Sequence, residues 1–221
     1  MIKAVIIDFD DTLSMTEHAC FVMENETLRA MARAPMSREM HVKTWGKPLF
    51  EAINERSPGI DVAKFKVTFD LIMKDHLERK NLDVIAPENY TVLKQLANQG
   101  KQIMLLTSRT HDELKHMLEP SHLLSSHIEA FYYKENTRYH KPDPRAFDVL
   151  LGEHHLQPRD CVYVGDSPSD AAASNAAGLH CIISLESGLR SREQFASYTV
   201  DSFISVFGEL PQALRILEHA L

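Results

Sequence analysis

Four short runs of apolar, partly β-branched residues constrain the fold of this chain more than any other feature. They are Ala4–Ile7, Ile103–Leu106, Cys161–Val164 and Cys181–Ile183. A polar or glycine-bearing turn follows each run, and helical patterns lie between the runs. Continuous apolar strands that alternate with helices are typical of a parallel sheet whose two faces are both covered. The sequence therefore predicts an α/β fold with a parallel sheet and helices on both faces.

The stretch between Leu13 and about Pro87 has a different pattern. It is helical and amphipathic, and Glu17–Ala32 and Val62–Arg79 place apolar residues near a 3.6-residue period. The stretch is too long for a simple connection between a strand and the next strand–helix unit. We therefore predict a small helical domain over residues 14–87, inserted into a core that is formed by residues 1–13 and 88–221.

Composition and charge narrow the class of protein. The chain has 221 residues, of which 44% are hydrophobic and 25% charged, and these values are ordinary for a globular protein. The formal net charge is −7 and no segment concentrates Lys and Arg, which argues against a nucleic-acid partner. The three cysteines, Cys20, Cys161 and Cys181, are widely spaced and fit neither a disulfide framework nor a zinc site. Without a signal-peptide pattern or a membrane-length apolar run, we expect a cytoplasmic protein with no membrane partner.

An acid pair, Asp8 and Asp10, directly follows the first predicted strand. Two carboxylates one residue apart at a strand end can both face a cleft. One can attack phosphorus while the other gives and takes protons, provided that the two environments differ. Taken alone, the pair is equally compatible with a solvated acidic turn.

Two further segments contain groups that can bind a phosphate. Thr107-Ser108-Arg109 follows the second strand, where a hydroxyl beside free backbone N–H groups can hold a phosphate oxygen. Lys141 lies on a proline-stiffened loop, where an ammonium can neutralise both a nucleophilic carboxylate and a phosphoryl group. The alternatives are a turn ahead of a helix for the first segment and a surface lysine for the second.

A second acid pair, Asp166 and Asp170, follows the strand that ends at Val164. Carboxylate oxygens suit a hard cation such as Mg²⁺, which keeps several waters and shares substrate phosphate oxygens. Asp170 can also complete a capping box with Ser167, and it can fill both roles. The acid pair, the hydroxyl, the lysine and the second acid pair occur in this order on separate strand–helix units, and we expect them at the sheet edge where open α/β sheets bind ligands.

In this order, the four segments resemble the four motifs of the haloacid dehalogenase-like hydrolases, over Ile2 to about Ile183. The resemblance implies a Rossmann-like core and an inserted all-helical cap of the type called C1. It implies that Asp8 is the nucleophile and Asp10 the general acid/base. It also implies that Thr107 and Lys141 bind the phosphoryl group.

The same resemblance implies a magnesium site. The Asp8 carboxylate, the Asp10 backbone carbonyl and Asp166 would bind Mg²⁺, and Asp170 would support its waters. An acid at position 10 is similar to the phosphoryl-transfer members and differs from the dehalogenases, which do not use magnesium. The chain departs from relatives such as the phosphoglycolate phosphatases at Asp11 and Met15, where those relatives commonly have Gly and Asp.

Substrate contacts are expected from two loops. Trp45-Gly46-Lys47 resembles the substrate-specificity loop of C1-capped relatives, so Lys47 can contact substrate with Trp45 beside it. Alternatively, Trp45 belongs to the cap core and Lys47 is solvated. Ser108 and Arg109 are the other candidates, with Arg109 directed at the leaving group.

The function that the sequence predicts is a Mg²⁺-dependent phosphatase, which hydrolyses a small phosphorylated metabolite through a phospho-aspartyl intermediate. A phosphomutase such as a β-phosphoglucomutase would use the same motifs. A non-catalytic module that binds a phosphorylated metabolite would be expected to lack a key acid, and all of the key acids are present. A monomer or a weak homodimer is expected.

Overall fold

A computed structural model of the chain describes residues 1–47 and 49–221. These residues divide into two compact units. The first is formed by Met1–Ser14 and Ile85–Leu221, and the second by Met15–Val84. The second unit lies inside the stretch 14–87 for which an inserted helical domain is predicted.

The first unit contains a six-stranded sheet in the order β3-β2-β1-β4-β5-β6, in which all neighbouring strands are parallel. The strands are β1 Ala4–Ile7, β2 Gln102–Leu106, β3 Ala130–Tyr132, β4 Cys161–Gly165, β5 His180–Ser184 and β6 Ser202–Ile204. Strand β1 lies between β2 and β4, with Ile7 in register with Leu105 and Val164. The residues that follow these three strands therefore emerge side by side at one edge of the sheet. The predicted α/β fold with a parallel sheet is confirmed.

Helices cover both faces of this sheet. They are α5 Pro87–Asn98, α6 His111–Leu118, α7 Asp148–Glu153, α8 Pro168–Ala177 and α9 Leu210–Ala220. Successive strand side chains point to opposite faces, so Val5 and Ile7 pack with residues of α5, α6 and α9. Ala4 and Ile6 pack on the other face with residues of α7 and α8. All four residues of β1 are fully buried, as expected for the central strand of a covered parallel sheet.

Strands β3 and β6 are not among the strands that the sequence predicts. Strands β3 and β6 have only three residues each, and each pairs with a single neighbour at an edge of the sheet. Segments this short carry no recognisable periodicity, and pairing with β2 and β5 imposes their extended conformation.

Local sequence signals fix the helix that follows β4. Ser167 and Asp170 form a reciprocal capping box at the start of α8. Gly178 adopts a left-handed conformation, with φ of 77°, directly after its end. The predicted capping box is confirmed. It matters because α8 fixes Asp170 beside the end of β4.

The second unit is helical over its described residues. Its helices are α1 Glu17–Ala30, α2 Arg38–Thr44, α3 Leu49–Arg56 and α4 Val62–Glu78. Its core contains Met23 and Leu28 of α1, Ile53 of α3 and Phe65 of α4. Phe69 lies one turn after Phe65, and their rings stack with centroids 5.7 Å apart. Within the described residues, no helix combines the length and apolarity needed to cross a membrane.

A buried charged cluster lies inside this helical unit, formed by Glu17, Glu24, His41 and Arg56. The ring nitrogens of His41 lie 2.5 Å from a Glu17 oxygen and 3.1 Å from a Glu24 oxygen. Because a carboxylate only accepts hydrogen bonds, both ring nitrogens donate and the imidazole is protonated. Burial alone lowers the pKa of His41, but the hydrogen bonds to Glu17 and Glu24 outweigh it, and the pKa is raised.

Arg56 balances the second carboxylate of this cluster. Its Nη1 donates to both oxygens of Glu24, at 2.7 and 2.6 Å. Its Nε donates to the Thr44 hydroxyl at 2.8 Å. Arg38, which is partly exposed, pairs with Glu17. Two carboxylates thus face two buried cations and one peripheral cation, so the cluster leaves no excess of negative charge.

Candidate active site

Three predicted site residues lie directly beyond the ends of adjacent strands. The Asp8 N–H donates to the Val164 carbonyl at 2.9 Å, which continues the pairing of β1 with β4 by one residue. The Thr107 N–H donates to the Tyr132 carbonyl at 3.0 Å at the end of β2. Asp166 follows Gly165, the last residue of β4. The sheet therefore holds these side chains on fixed backbone at one edge, and Asp8, Thr107 and Asp166 are all buried.

Lys141 lies between the two acid pairs. Its Nζ is 3.0 Å from Asp8 Oδ2 and 2.7 Å from Asp170 Oδ1. It also donates to the Tyr163 hydroxyl at 2.7 Å, and its side chain is only 6% exposed. Burial by itself lowers the pKa of Lys141, but the charges of Asp170 and Asp8 outweigh it, and the pKa lies above its ordinary value. The ammonium is therefore a fixed positive charge in contact with the predicted nucleophile.

Asp170 is fully buried, and both of its oxygens accept hydrogen bonds. Oδ1 accepts from Lys141, and Oδ2 accepts from the Ser167 N–H at 2.9 Å and the Ser167 hydroxyl at 2.7 Å. The Asp166 N–H also approaches Oδ2, at 3.2 Å. Burial by itself raises the pKa of Asp170. The charge of Lys141 and the hydrogen bonds from Lys141 and Ser167 outweigh burial, so the pKa lies below its ordinary value. Asp170 is thus an ionised anchor for the lysine and for the loop after β4.

The close approach of this loop explains the glycine at its start. A Cβ atom at Gly165 would lie 2.5 Å from the Asp170 carboxyl carbon, a distance that carbon atoms in proteins do not tolerate. Glycine at position 165 lets the backbone pass directly beside the buried Asp170 carboxylate.

Carboxylate oxygens of Asp8, Asp166 and Asp170 all lie within 4.8 Å of one another. Burial, opposed by Lys141, raises the pKa of Asp8 to about 7. Burial and the charges of Asp170 and Asp8 raise the pKa of Asp166 well above its ordinary value. If all three acids were ionised, one ammonium would leave an excess of negative charge, and the raised pKa values of Asp8 and Asp166 reflect that cost. A bound cation would offset the same charge. An all-oxygen donor set of this kind fits Mg²⁺.

The second acid of the first pair, Asp10, has a different environment. Its side chain is 29% exposed and forms an ion pair with the Arg109 guanidinium. Arg109 Nε lies 3.0 Å from Oδ2 and 3.2 Å from Oδ1, and Nη2 donates to Oδ1 at 2.7 Å. The guanidinium also lies over the Phe9 ring, 4.6 Å from its centroid. The two acids of the pair are thus distinct, as their predicted roles require: Asp8 is buried against a lysine, and Asp10 is half-open and held by an arginine.

The turn between the acid pair and the helical unit contains the first departure noted in the sequence. Asp11 is buried and has φ of 55°, in the left-handed region. Aspartate enters this region more readily than most residues. The Asp11 N–H donates to the Ser14 carbonyl at 2.7 Å and closes the turn. Asp11 therefore adopts a conformation that glycine commonly provides.

The remaining predicted substrate contacts lie outside this buried group. Ser108 is exposed next to Thr107. Lys47 is an exposed residue of the helical unit, and its Nζ lies 2.6 Å from a Glu55 oxygen. The Trp45 ring lies 5.2 Å from the His41 ring within the same unit. Contact of these loop residues with substrate stays a prediction.

Sequence reasoning did not identify Tyr163 or the partner of Arg109. Tyr163 is a fully buried residue of β4, and its hydroxyl accepts from Lys141 and lies 3.2 Å from the Leu106 carbonyl. A tyrosine between Val162 and Val164 in an apolar strand is the one available signal, because a buried hydroxyl needs a partner. The Asp10–Arg109 pair joins residues 99 positions apart, and only the pairing of β1 with β2 brings them together.

The fold and the site together define a class of α/β enzymes with an acid pair after the first strand and a lysine and further acids after later ones. The chain belongs to the haloacid dehalogenase-like hydrolases, because the model of that family matches residues 5–184. The membership predicted from the four motifs is confirmed.

Individual relatives agree with this membership. A phosphoglycolate phosphatase of Pseudomonas syringae pv. tomato is 26% identical over 189 residues, which cover 81% of this chain and 68% of the relative. The crystal structure of a HAD hydrolase, family IA, variant 3 from Entamoeba histolytica superposes with a TM-score of 0.81 at 15% identity, covering 98% of this chain and 100% of that one. CbbY from Rhodobacter sphaeroides in complex with phosphate has a TM-score of 0.76 at 21% identity, covering 95% and 96%. The two structures share the fold, and the predicted enzyme class agrees with the name of the sequence relative.

Proposed function

We propose that this protein is a Mg²⁺-dependent phosphatase that hydrolyses a small phosphorylated metabolite through a phospho-aspartyl intermediate. The observation that carries the proposal is the contact between Asp8 and Lys141 beside Asp166 and Asp170, at the end of the central strand. A carboxylate held by a cation beside further acids suits attack on phosphorus. Family membership supports the same chemistry.

The first half of the reaction forms a covalent bond to Asp8. Its Oδ1 accepts the Phe9 N–H at 2.9 Å, and its Oδ2 faces Lys141, so the carboxylate is held in one orientation. One Asp8 oxygen bonds to phosphorus while the bond from phosphorus to the leaving oxygen breaks. Asp10 donates a proton to that leaving oxygen.

The second half regenerates the carboxylate. Water attacks the phosphorus, and Asp10 takes the proton from that water. The bond between phosphorus and the Asp8 oxygen breaks, and inorganic phosphate leaves. The partial exposure of Asp10 suits this role, because the same group must reach first the leaving oxygen and then water.

Lys141 and Thr107 would position the phosphoryl group. Lys141 reduces the repulsion between an anionic nucleophile and an anionic phosphate. Thr107, at the end of β2, offers a hydroxyl to a phosphate oxygen. Both side chains are held by buried backbone or buried partners, so their positions are set before substrate binds.

Mg²⁺ would be held by the carboxylates of Asp8 and Asp166 and the backbone carbonyl of Asp10. When bound, it supplies positive charge that offsets the acids and the phosphoryl oxygens. Asp170 already accepts hydrogen bonds at both oxygens, so we assign it to anchoring Lys141 and supporting metal-bound waters.

The test is phosphate release from p-nitrophenyl phosphate by the purified full chain, in MgCl₂ and after EDTA treatment. We expect activity that needs Mg²⁺ and that Asp8→Asn abolishes without loss of the folded state by circular dichroism. Asp75→Asn is the matched control, because Asp75 pairs with Arg79 on an exposed helix face of the other unit, and it should keep full activity. Near-normal turnover by folded Asp8→Asn, or turnover without Mg²⁺, would overturn the proposal.

A further inference from the structure

Arg109 is a largely buried cation at the site, with a side chain only 10% exposed, and the proposed reaction assigns it no role. On the basis of the proposed phosphatase function, we propose that Arg109 holds Asp10 until an anionic group on the substrate's leaving portion takes its place. The enzyme would then prefer phosphomonoesters that carry a second negative charge close to the scissile bond. Arg109 acts on the reaction through Asp10 and on specificity through the substrate.

The contacts of Asp10 show why the pair must open during the reaction. Three close N–H contacts from Arg109 engage both carboxylate oxygens. Donation of a proton requires a neutral carboxyl, which loses most of its attraction to a guanidinium and gives up a lone pair to the proton. In the arrangement described, both Asp10 oxygens face Arg109 N–H groups, so Arg109 must release at least one oxygen before Asp10 can exchange a proton with a leaving group.

The anchoring of Arg109 lets its guanidinium change partner without a change in the backbone. The Arg109 N–H lies 3.3 Å from the Thr107 hydroxyl, and its carbonyl accepts the Lys134 N–H at 2.9 Å. The side chain is 10% exposed and rests on Phe9. A long side chain on a fixed backbone, two residues after the predicted phosphate-binding Thr107, can pivot between Asp10 and an anion beside the phosphoryl group.

The exchange is chemically selective. A guanidinium binds carboxylate or phosphate oxygens in the same bidentate manner. A leaving group with its own carboxylate or phosphate can therefore replace Asp10 on Arg109 and free Asp10 to exchange protons. A neutral alcohol offers no charge to compete with Asp10, so Arg109 stays on Asp10 and the proton transfer is hindered.

Two substrates of nearly equal size isolate this effect. 2-Phosphoglycolate and 2-hydroxyethyl phosphate both release a primary alcohol. The first carries a carboxylate at the position where the second carries a neutral hydroxymethyl group. For the wild-type enzyme we expect kcat/KM to be on the order of tenfold or more higher for phosphoglycolate, the scale of one charge-assisted hydrogen-bonded pair. Arg109→Gln should bring the ratio close to one, because kcat/KM for phosphoglycolate falls much more than kcat/KM for hydroxyethyl phosphate. Arg109→Lys, which keeps the charge without the bidentate fork, should give an intermediate ratio.

The control is Lys134→Gln, which removes a neighbouring exposed cation and should leave the ratio unchanged. A wild-type ratio near one, or an Arg109→Gln enzyme that loses activity equally on both substrates, would overturn the proposal while the phosphatase assignment stands. If Arg109→Gln does not fold, an Arg109→Lys ratio equal to the wild-type ratio would overturn it. Absence of turnover on both substrates and on p-nitrophenyl phosphate would instead remove the proposed function, and this inference with it.

Discussion

The two units of this protein each bury a cluster of charged side chains, and the clusters differ in their balance. In the helical unit, Glu17 and Glu24 face His41 and Arg56, and each carboxylate contacts a cation. At the sheet edge, three carboxylates lie within 4.8 Å of one another, and a single ammonium, Lys141, contacts two of them. A balanced buried cluster is a self-contained part of the structure. An unbalanced one must bind protons or a charged ligand, so unequal charge is typical of a candidate site rather than of a structural network.

The largest expected effect comes from removal of the single cation of the unbalanced cluster. Lys141→Met should lower kcat by on the order of 1000-fold, because it removes the charge beside the proposed nucleophile Asp8. It should also destabilise the fold by about 3–5 kcal/mol in EDTA, since buried carboxylates lose their partner. Mg²⁺ should restore part of that stability, as measured by urea unfolding with and without the metal. Identical unfolding of wild type and variant in EDTA would show that the lysine does not offset the buried acids.

The matching change in the balanced cluster is Arg56→Met. It leaves Glu24 with one remaining cation and should also destabilise the fold by about 3 kcal/mol. Mg²⁺ should not restore this loss, because Glu24 lies in the cluster that has no excess charge to attract a metal. Urea unfolding in EDTA and in MgCl₂ tests the difference between the clusters directly. Rescue of Arg56→Met by Mg²⁺ would contradict it.

A smaller effect is expected from crowding at the catalytic edge. Gly165→Ala would place a methyl group against Asp170. This overpacking should lower the free energy of unfolding by about 1–3 kcal/mol. Activity should also fall, because Asp170 anchors Lys141. Gly152→Ala is the control, since its added Cβ meets nothing within 4 Å. In a helix that change is neutral or stabilising by up to about 1 kcal/mol. Thermal melting and turnover of both variants measure the contrast, and equal behaviour would mean that the loop can move away from Asp170.

The smallest effect concerns pH. Since the pKa of His41 is raised in the folded state, its stabilising charge is fully present below the unfolded pKa of about 6.5. The contribution is lost as the pH rises through the higher folded pKa. The melting temperature of the wild type should therefore fall by a few degrees more than that of His41→Gln between pH 6 and pH 9. A parallel decline in both proteins would show that His41 does not titrate in this range.

The parts of the fold that the sequence predicts are those with local signals. The buried strands β1, β2, β4 and β5 are continuous apolar runs, and the caps of α6 and α8 have short motifs. Strands β3 and β6 exist because they pair with a neighbour, which no short segment encodes. The four motifs indicated Asp8, Thr107, Lys141 and Asp166 because each follows a strand or a stiffened loop.

The sequence does not predict which charged residues pair with each other, and the reason is physical. Glu17, Glu24 and His41 belong to amphipathic helices, in which charged residues are normally solvated. Only the packing of three helices shows that these residues are buried. The ion pair between Arg109 and Asp10 likewise depends on the pairing of β1 with β2 in the sheet. Sequence patterns thus locate reactive groups, while the partners that tune them depend on tertiary contacts.

The central position of β1 has a consequence for synthesis of the chain. Strand β1 ends one residue before the proposed nucleophile Asp8, and its partner β4 begins only at Cys161. At translation rates of roughly 5–20 residues per second, β4 follows β1 by roughly 8–30 seconds. During that time Val5, Ile6 and Ile7 lack the β4 neighbours that help to bury them. The nascent chain therefore exposes an apolar segment with high β-propensity, which favours aggregation. The strand on which the proposed chemistry depends is therefore incompletely paired until β4 has been synthesised.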